Sequence, residues 1–164
     1  MTIRTSLLAA SSAALLIVAL TGCTQIGDVV GEVVDVDGDT SVLEIAAGDC
    51  INDAESTAAG DVSDVTKVDC TEPHDYEAFH NLTLPDGDYP GQESVETQAE
   101  DVCYTEFETF VGVSYDESVL GFTYFTPTSD GWDSGDQEIV CLVADLDTEG
   151  GIVQSSTSLE GAKR

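Results

Sequence analysis

Two histidines and a glutamate stand close together in the middle of the chain. They are His74, Glu77 and His80, and the chain has two histidines in all. A histidine beside a carboxylate can act as a general base, and with a further side chain it can bind zinc, which needs three or four converging ligands. Strand alternation, however, puts His74 and His80 on one face and Glu77 on the other. We therefore predict neither a metal site nor a catalytic site here.

The same segment has a structural interpretation as a turn followed by a strand. Pro73 shapes the turn, His74 bonds to the backbone, and His80 is a partly buried histidine. Trp132, the single tryptophan, is either a side chain that fills the end of the domain or a surface platform for a sugar or a peptide, and we favour the first. Together with Glu77, the residues Pro73, His74 and Trp132 form a possible functional motif.

Other catalytic patterns are weak. Residues 35–40 begin like a calcium loop, but Thr40 stands at the sixth position, where an EF-hand requires glycine. The chain contains no Gly-x-Ser-x-Gly sequence of the kind that presents a nucleophilic serine. We predict no enzymatic activity and no cofactor. The alternative is a small metal- or carboxylate-dependent hydrolase of cell-wall material, centred on His74 and Glu77.

The main predicted element of the folded region is a helix between Pro90 and Gly112. Proline is typical at the start of a helix, and glycine is typical just after its end. Apolar residues recur there at every fourth position: Val95, Ala99, Cys103, Phe107 and Val111. This spacing puts them on one buried face. The continuous apolar run at residues 139–144, which contains Cys141, predicts a central strand against which that face packs.

Shorter strands are predicted at residues 42–45, 65–70 and 76–84. In the second, alternation puts Thr66, Val68 and Cys70 on one face. In the third, it does the same for the set Tyr76, Ala78, His80, Leu82 and Leu84. Strands, one helix and further strands predict a small α+β domain with an antiparallel or mixed sheet.

The N-terminal residues predict export and a lipid anchor. Residues 7–20 are almost entirely apolar, but at about 1.5 Å per residue they cover roughly 21 Å, less than the roughly 30 Å of a bilayer core. Residues 1–22 are therefore predicted to be a signal peptide. The following Leu20-Thr21-Gly22-Cys23 looks like a bacterial lipobox, which makes Cys23 the site of lipidation. We expect a protein, modified by palmitate or a similar acyl chain, on the outer face of the cytoplasmic membrane.

The four other cysteines, Cys50, Cys70, Cys103 and Cys141, predict two disulfides, because an exported chain meets an oxidising environment. Three pairings are possible. We favour the pairing of sequence neighbours, Cys50 with Cys70 and Cys103 with Cys141. A zinc site is the less favoured alternative, because no Cys-x-x-Cys pair is present.

Charge narrows the class of partner. The chain has 33 acidic and 4 basic residues, a formal net charge of −29. Such a polyanion repels nucleic acid, so we expect no nucleic-acid partner. Residues 23–41 are predicted to form an acidic, flexible stalk after the lipidated cysteine, residues 42–146 the folded domain, and residues 147–164 a polar C-terminal tail. The sequence makes no prediction of the oligomeric state.

Several short sequences carry a resemblance to a known family. They are Gly48-Asp49-Cys50, Val68-Asp69-Cys70-Thr71-Glu72-Pro73-His74-Asp75-Tyr76-Glu77, Tyr89-Pro90-Gly91, Thr126-Pro127-Thr128 and Trp132-Asp133-Ser134-Gly135-Asp136. With Cys103 and Cys141, they resemble the septum-formation domain of actinobacterial envelope proteins over residues 42–146. The resemblance implies a role in the cell envelope, associated with septum formation during division, and leaves the molecular activity undefined. We predict a non-enzymatic binding module linked to cell division or the cell wall, whose partners are envelope or division proteins or wall material.

Overall fold

The computed structural model of the chain describes residues 39–52 and 64–164. All of these residues belong to one compact unit. The predicted signal peptide, the predicted lipidation site Cys23 and the predicted stalk up to residue 38 lie outside the described residues.

The described residues form seven strands, two α-helices and two short 3-10 helices. The strands are β1 (Asp39–Ser41), β2 (Cys50–Asn52), β3 (Asp64–Val68), β4 (Tyr76–Thr83), β5 (Leu120–Phe125), β6 (Glu138–Leu146) and β7 (Ile152–Val153). The helices are α1 (Gln92–Val111) and α2 (Ser129–Asp133), and the 3-10 helices are Val42–Glu44 and Tyr115–Glu117.

The strands make one antiparallel sheet in the order β1-β3-β2-β4-β6-β5, and β7 pairs with the end of β6. The sheet curls, and α1 packs against β4, β5 and β6. The prediction of an α+β domain with one main helix and two disulfides is therefore confirmed.

Helix α1 has the predicted buried face. Val95, Ala99, Cys103, Phe107 and Val111 are its buried residues, as their four-residue spacing requires. The helix ends at Gly112, which has a left-handed backbone (φ 86°) and donates its amide to the carbonyl of Glu108 at 2.9 Å. Glycine adopts this conformation without the steric penalty of a Cβ atom, so it terminates the helix here.

Strand β6 is buried on both faces, which explains its uninterrupted apolar sequence. Ile139, Cys141 and Val143 belong to the core cluster that contains the buried face of α1. Val140, Leu142 and Ala144 belong to a second cluster on the other face, which includes Ile45, Ile51, Val65, Tyr76 and Ala78. The sheet therefore separates two cores, one under α1 and one under the β1–β2 segment.

One disulfide lies inside the α1 core, and the other lies beside the second core. Cys103 of α1 is bonded to Cys141 of β6, and Cys50 of β2 is bonded to Cys70 just after β3. The favoured pairing of sequence neighbours is confirmed. One bond attaches the helix to the central strand, and the other closes the loop that carries β3.

Strand β4 departs from the alternation that the sequence suggested. The pairing with β6 shifts register between Ala78 and His80, so Phe79 is an extra residue in a β-bulge. Tyr76 and Ala78 lie in the second core, whereas His80 pairs with Cys141 on the α1 side. The prediction that one face is shared by Tyr76, Ala78, His80, Leu82 and Leu84 is therefore wrong, because a bulge reverses the faces of the residues that follow it.

Two short strand predictions also change. Residues 42–44 form a 3-10 helix instead of a strand, and the Ser41 hydroxyl accepts a hydrogen bond from the amide of Leu43 at 3.3 Å. Strand β3 spans Asp64–Val68 instead of the predicted residues 65–70, and Val65 is its buried residue. Val65 packs against the second core.

The last residues are part of the folded domain, unlike the separate polar tail expected from their composition. Leu159 is buried in the α1 core. The amides of Gly161 and Lys163 donate to the carbonyls of Phe110 and Val111 at the end of α1, at 2.8 and 2.9 Å. The prediction from polar composition fails because backbone hydrogen bonds attach this segment to α1, and such bonds do not depend on the side chains.

Candidate functional site

His74 lies at a closed corner of the domain, just before β4. Its side chain is 1% exposed. Its backbone exchanges two hydrogen bonds with Ser155, at 2.8 and 2.9 Å, and Nδ1 lies 2.9 Å from the carbonyl oxygen of Glu72. Within the described residues, Nε2 is buried and has no hydrogen-bond partner. His74 therefore connects the turn before β4 to the C-terminal segment.

Glu77 is the second buried polar residue of this corner, with 2% of its surface exposed. One carboxylate oxygen accepts a hydrogen bond from the Ser158 hydroxyl at 2.7 Å, and the other accepts one from the amide of Leu159 at 2.6 Å. Charge-assisted bonds of this kind are stronger than neutral ones. Both oxygens of Glu77 thus hold the C-terminal segment against β4.

The corner brings His74 and Glu77 together, contrary to the expectation that they face opposite ways. Ligand atoms of Cys50, His74 and Glu77 lie within 4.8 Å of one another. The strand begins at Tyr76, and His74 forms an isolated bridge with Ser155, so regular alternation does not extend back to it. The sulfur of Cys50 is in a disulfide. That leaves two side chains of the three or four that a zinc site needs.

The turn before His74 completes the closed corner. The hydroxyl and the amide of Thr71 donate to Asp69 at 2.7 and 2.8 Å, and these bonds lower the pKa of the Asp69 carboxyl. Pro73 is exposed, and its carbonyl accepts a hydrogen bond from the Asn52 side chain at 3.0 Å. Apart from His74 Nε2, the polar atoms of this corner named above bond to other residues of the same chain.

The other predicted site residues lie elsewhere. Trp132 in α2 is 7% exposed, donates its indole N–H to the carbonyl of Gly87 at 2.8 Å and packs on the ring of Tyr89. His80 is half-buried, with Nδ1 3.9 Å from a carboxylate oxygen of Glu106. Neither residue joins the corner that holds His74 and Glu77.

An open groove that the sequence analysis missed lies along β5. Its volume is about 920 Å³, and it is bounded by four consecutive residues of β5, the N-terminal half of α1 and residues 41–43. Its aromatic residues are Tyr115, Phe122, Tyr124 and Phe125. Its acidic residues are Glu96, Glu100, Asp136 and Glu138. Among the groove-lining residues in the described part of the chain, none is Lys, Arg or His.

The acidic side chains change the chemistry of the groove. Burial raises the pKa of the Tyr124 hydroxyl above its usual value, and the carboxylates of Glu100 and Glu96 raise it further. Both carboxylates therefore act on the middle of β5. A surface of this kind, with aromatic rings beside negative charges, favours a partner that carries positive charge on an apolar chain.

A sequence signal for β5 was present. Residues 120–125 read Leu-Gly-Phe-Thr-Tyr-Phe, and aromatic and β-branched residues are enriched in strands. The acidic residues Glu96 and Glu100 of α1 were also visible in the sequence, since they lie off the apolar face of the helix. Sequence spacing did not show that they enclose one groove with β5, because the rest of α1 and a 3-10 helix separate them from β5 along the chain.

The fold and these two regions define a small α+β domain, cross-linked by two disulfides, with one closed polar corner and one open acidic groove. The chain belongs to the Septum formation family, whose family model matches residues 47–164. The resemblance seen in the sequence is thereby confirmed, and the matched region includes the C-terminal segment that Glu77 holds. Membership supports a cell-division-related protein of the cell envelope.

No curated protein and no solved structure matches the chain significantly. Within residues 39–52 and 64–164, no helix has the length and hydropathy needed to cross a membrane.

Proposed function

We propose that this chain is an exported, lipid-anchored protein of the cell envelope that acts as a non-enzymatic binding module in cell division or at the cell wall. The observation that carries the proposal is the groove of about 920 Å³ along β5, on a domain of the Septum formation family. Concave surfaces with aromatic rings and a few converging polar groups are typical binding sites. At the closed corner, in contrast, both carboxylate oxygens of Glu77 accept hydrogen bonds from the chain itself.

Anchoring through Cys23 is supported by the lipobox-like sequence after the apolar segment. Acyl chains contribute about 0.8 kcal/mol per buried methylene, so two or three of them hold a protein firmly. We expect labelled palmitate to be incorporated into the exported chain and not into a Cys23→Ser variant, which is released from the membrane. Equal labelling of both chains contradicts this part of the proposal.

Binding at the septum is tested in dividing cells. The protein is located with antibodies against the purified domain and not with a tag after Arg164, because Arg164 forms an ion pair with Asp145 that a tag would disturb. We expect a band at the septum that is lost in a Glu96→Lys, Glu100→Lys variant. A control variant, Glu93→Lys with Asp101→Lys, makes the same charge change on exposed residues of α1 outside the groove. Uniform labelling of the unaltered chain contradicts the link to division.

The second candidate, a small metal- or carboxylate-dependent hydrolase, is favoured by the proximity of His74 and Glu77 within 4.8 Å. We expect the purified chain to release no soluble fragments from cell-wall material, with or without added zinc. Release that disappears in a His74→Asn variant, while the variant keeps its melting temperature, supports the hydrolase and overturns the binding module.

A further inference from the structure

We propose that the groove binds an extended segment of a partner protein, in which basic residues alternate with apolar ones, by adding it as a strand to β5. The inference rests on the proposed function as a binding module and names the class of its partner. Strand addition is an established mode of peptide recognition, in which backbone hydrogen bonds supply affinity and alternate side chains supply specificity.

The first support is the position of β5 at the edge of the sheet. Among the described strands, β5 pairs with β6 on one side and with no strand on the other. In an antiparallel pair, every second residue points its N–H and C=O away from the neighbouring strand. An edge of this kind is a template for another extended chain.

The second support is the fit between the edge and the helix beside it. Gln92, Glu96 and Glu100 line the groove at four-residue spacing, so they form one stripe along α1. At about 1.5 Å per residue the stripe is about 12 Å long. This is the length of about four residues of an extended strand, at about 3.4 Å each. A peptide segment that pairs with the four groove-lining residues of β5 therefore matches the stripe in length.

The alternating side-chain directions along β5 determine which residue types are expected at successive positions of the partner segment. Phe122 and Tyr124 pack on the α1 side, where Glu96 and Glu100 are. Phe125 packs on the opposite side, where Val42 and the exposed Leu43 line the groove. Successive side chains of an added strand point to these two sides in turn. Basic residues are thus expected toward α1, and apolar residues toward Phe125.

Charge favours a basic partner segment over two other occupants of the groove, a second copy of the chain and the chain's own residues before β1. A second copy would bring its own acidic groove to the edge, and the formal net charge of each chain is −29. The part of the sequence before β1 also carries acids, since Asp28, Glu32, Asp35 and Asp37 lie there with no basic residue between them. Like charges placed opposite one another oppose pairing. A basic segment of another protein is attracted by the same field.

The test uses the exported chain, purified in detergent, and a short peptide in which Lys alternates with Val. We expect the peptide to bind and to slow hydrogen exchange of the outward-facing amides of β5. A peptide of the same composition with the lysines in one block is the control for charge alone. Equal binding of both peptides, or no protection in β5, overturns strand addition.

Two variants test the acidic stripe. Glu96→Gln with Glu100→Gln is expected to weaken binding of the alternating peptide about fivefold at low salt, as exposed ion pairs contribute modestly. Glu93→Gln with Asp101→Asn removes the same charge elsewhere on α1 and is expected to leave affinity unchanged. Equal weakening by the two variants overturns the groove as the binding site. All of these residues are exposed, and unchanged melting verifies the fold of each variant.

Backbone pairing is tested with two N-methylated peptides, one methylated at every Lys and the other at every Val. Alternate amides of a strand face opposite edges, so strand addition predicts that one peptide loses binding and the other keeps it. Binding by both overturns the inference. If no peptide binds but the groove variant still loses the septal band in cells, this inference is wrong and the proposed binding function stands.

Discussion

The closed corner around His74 and Glu77 and the open groove along β5 are the two polar regions of this domain, and they differ in what their side chains contact. The Glu77 carboxylate is 2% exposed and bonds to Ser158 and Leu159. The Glu96 and Glu100 carboxylates are on an exposed stripe beside an edge strand. The Glu77 carboxylate therefore stabilises the fold, whereas the groove carboxylates remain accessible to a partner.

The difference teaches that a conspicuous sequence motif need not be the place where a protein meets other molecules. His74 and Glu77 stand out in the sequence because the residue types suggest catalysis. In the structure they attach the last residues of the chain to β4. The groove is built from acidic residues on the solvent-exposed face of α1 and from the aromatic residues of β5. In the sequence, neither set has a pattern that suggests a binding site. Changes that separate stability from binding distinguish the two regions.

The largest effect is expected from reducing the two disulfides. They close loops with sequence separations of 20 and 38, and chain-entropy estimates give about 3 to 4 kcal/mol for each. Because Cys50 borders the closed corner and Cys103 anchors α1, reduction should loosen both regions. We expect the free energy of unfolding in urea to fall by most of its value in reductant. An unchanged unfolding curve contradicts the structural role of the bonds.

Replacing Glu77 is expected to have the next largest effect. Glu77→Ala leaves the Ser158 hydroxyl and the buried amide of Leu159 without their acceptor, and an unsatisfied buried group costs about 1 to 3 kcal/mol. We expect a loss of about 2 to 3 kcal/mol in urea unfolding, with faster hydrogen exchange at Leu159.

The matched control for Glu77 is Glu160→Ala, an exposed glutamate of the same segment. It should change the free energy of unfolding by less than about 0.5 kcal/mol. Similar losses in the two variants would show that the closed corner is no more structural than the surface.

The groove carboxylates are expected to behave in the opposite way. Glu96→Gln with Glu100→Gln should leave the free energy of unfolding within about 0.5 kcal/mol of the unaltered chain, since both side chains are exposed. The same variant should bind the alternating peptide about fivefold more weakly at low salt. A stability loss above about 1.5 kcal/mol would make the groove a second structural region and remove the contrast with the closed corner.

The smallest effect is on the pKa of Tyr124. Burial raises this pKa, and Glu100 and Glu96 add to it, so the Gln variant should lower it toward the usual value. Because the folded pKa is the higher one, folding loses stability as the pH rises through about 10, and the variant loses less. Titration of ring-labelled tyrosines by NMR measures the shift. The control variant, Glu93→Gln with Asp101→Asn, should show none.

Much of the fold could be predicted from residues that are close in sequence. The buried face of α1 follows from the spacing of Val95, Ala99, Cys103, Phe107 and Val111, because helix periodicity is a local property. The end of α1 at Gly112 has the same origin. The partner of Cys103 followed from one long-range argument, that the apolar run around Cys141 is the strand on which the helix packs.

The candidate sites were less predictable because their contacts are remote. Glu77 bonds to Ser158 and Leu159, which are 81 and 82 residues away. The bulge at Phe79 changes the face of every later residue of β4, and its position depends on pairing with β6. The edge position of β5 depends on the order of the strands, which local preferences do not encode.

The sequence by itself determined the α+β class, the main helix and the central strand, because hydrophobic period acts over short distances along the chain. It favoured the observed disulfide pairing over two others, and the structure decided between them. Tertiary structure alone decided that the polar C-terminal segment belongs to the domain, that His74 and Glu77 meet at a closed corner, and that α1 and β5 enclose a groove. Each of these arrangements comes from packing between elements that are far apart in sequence, where the free energy depends on the whole fold and not on local preference.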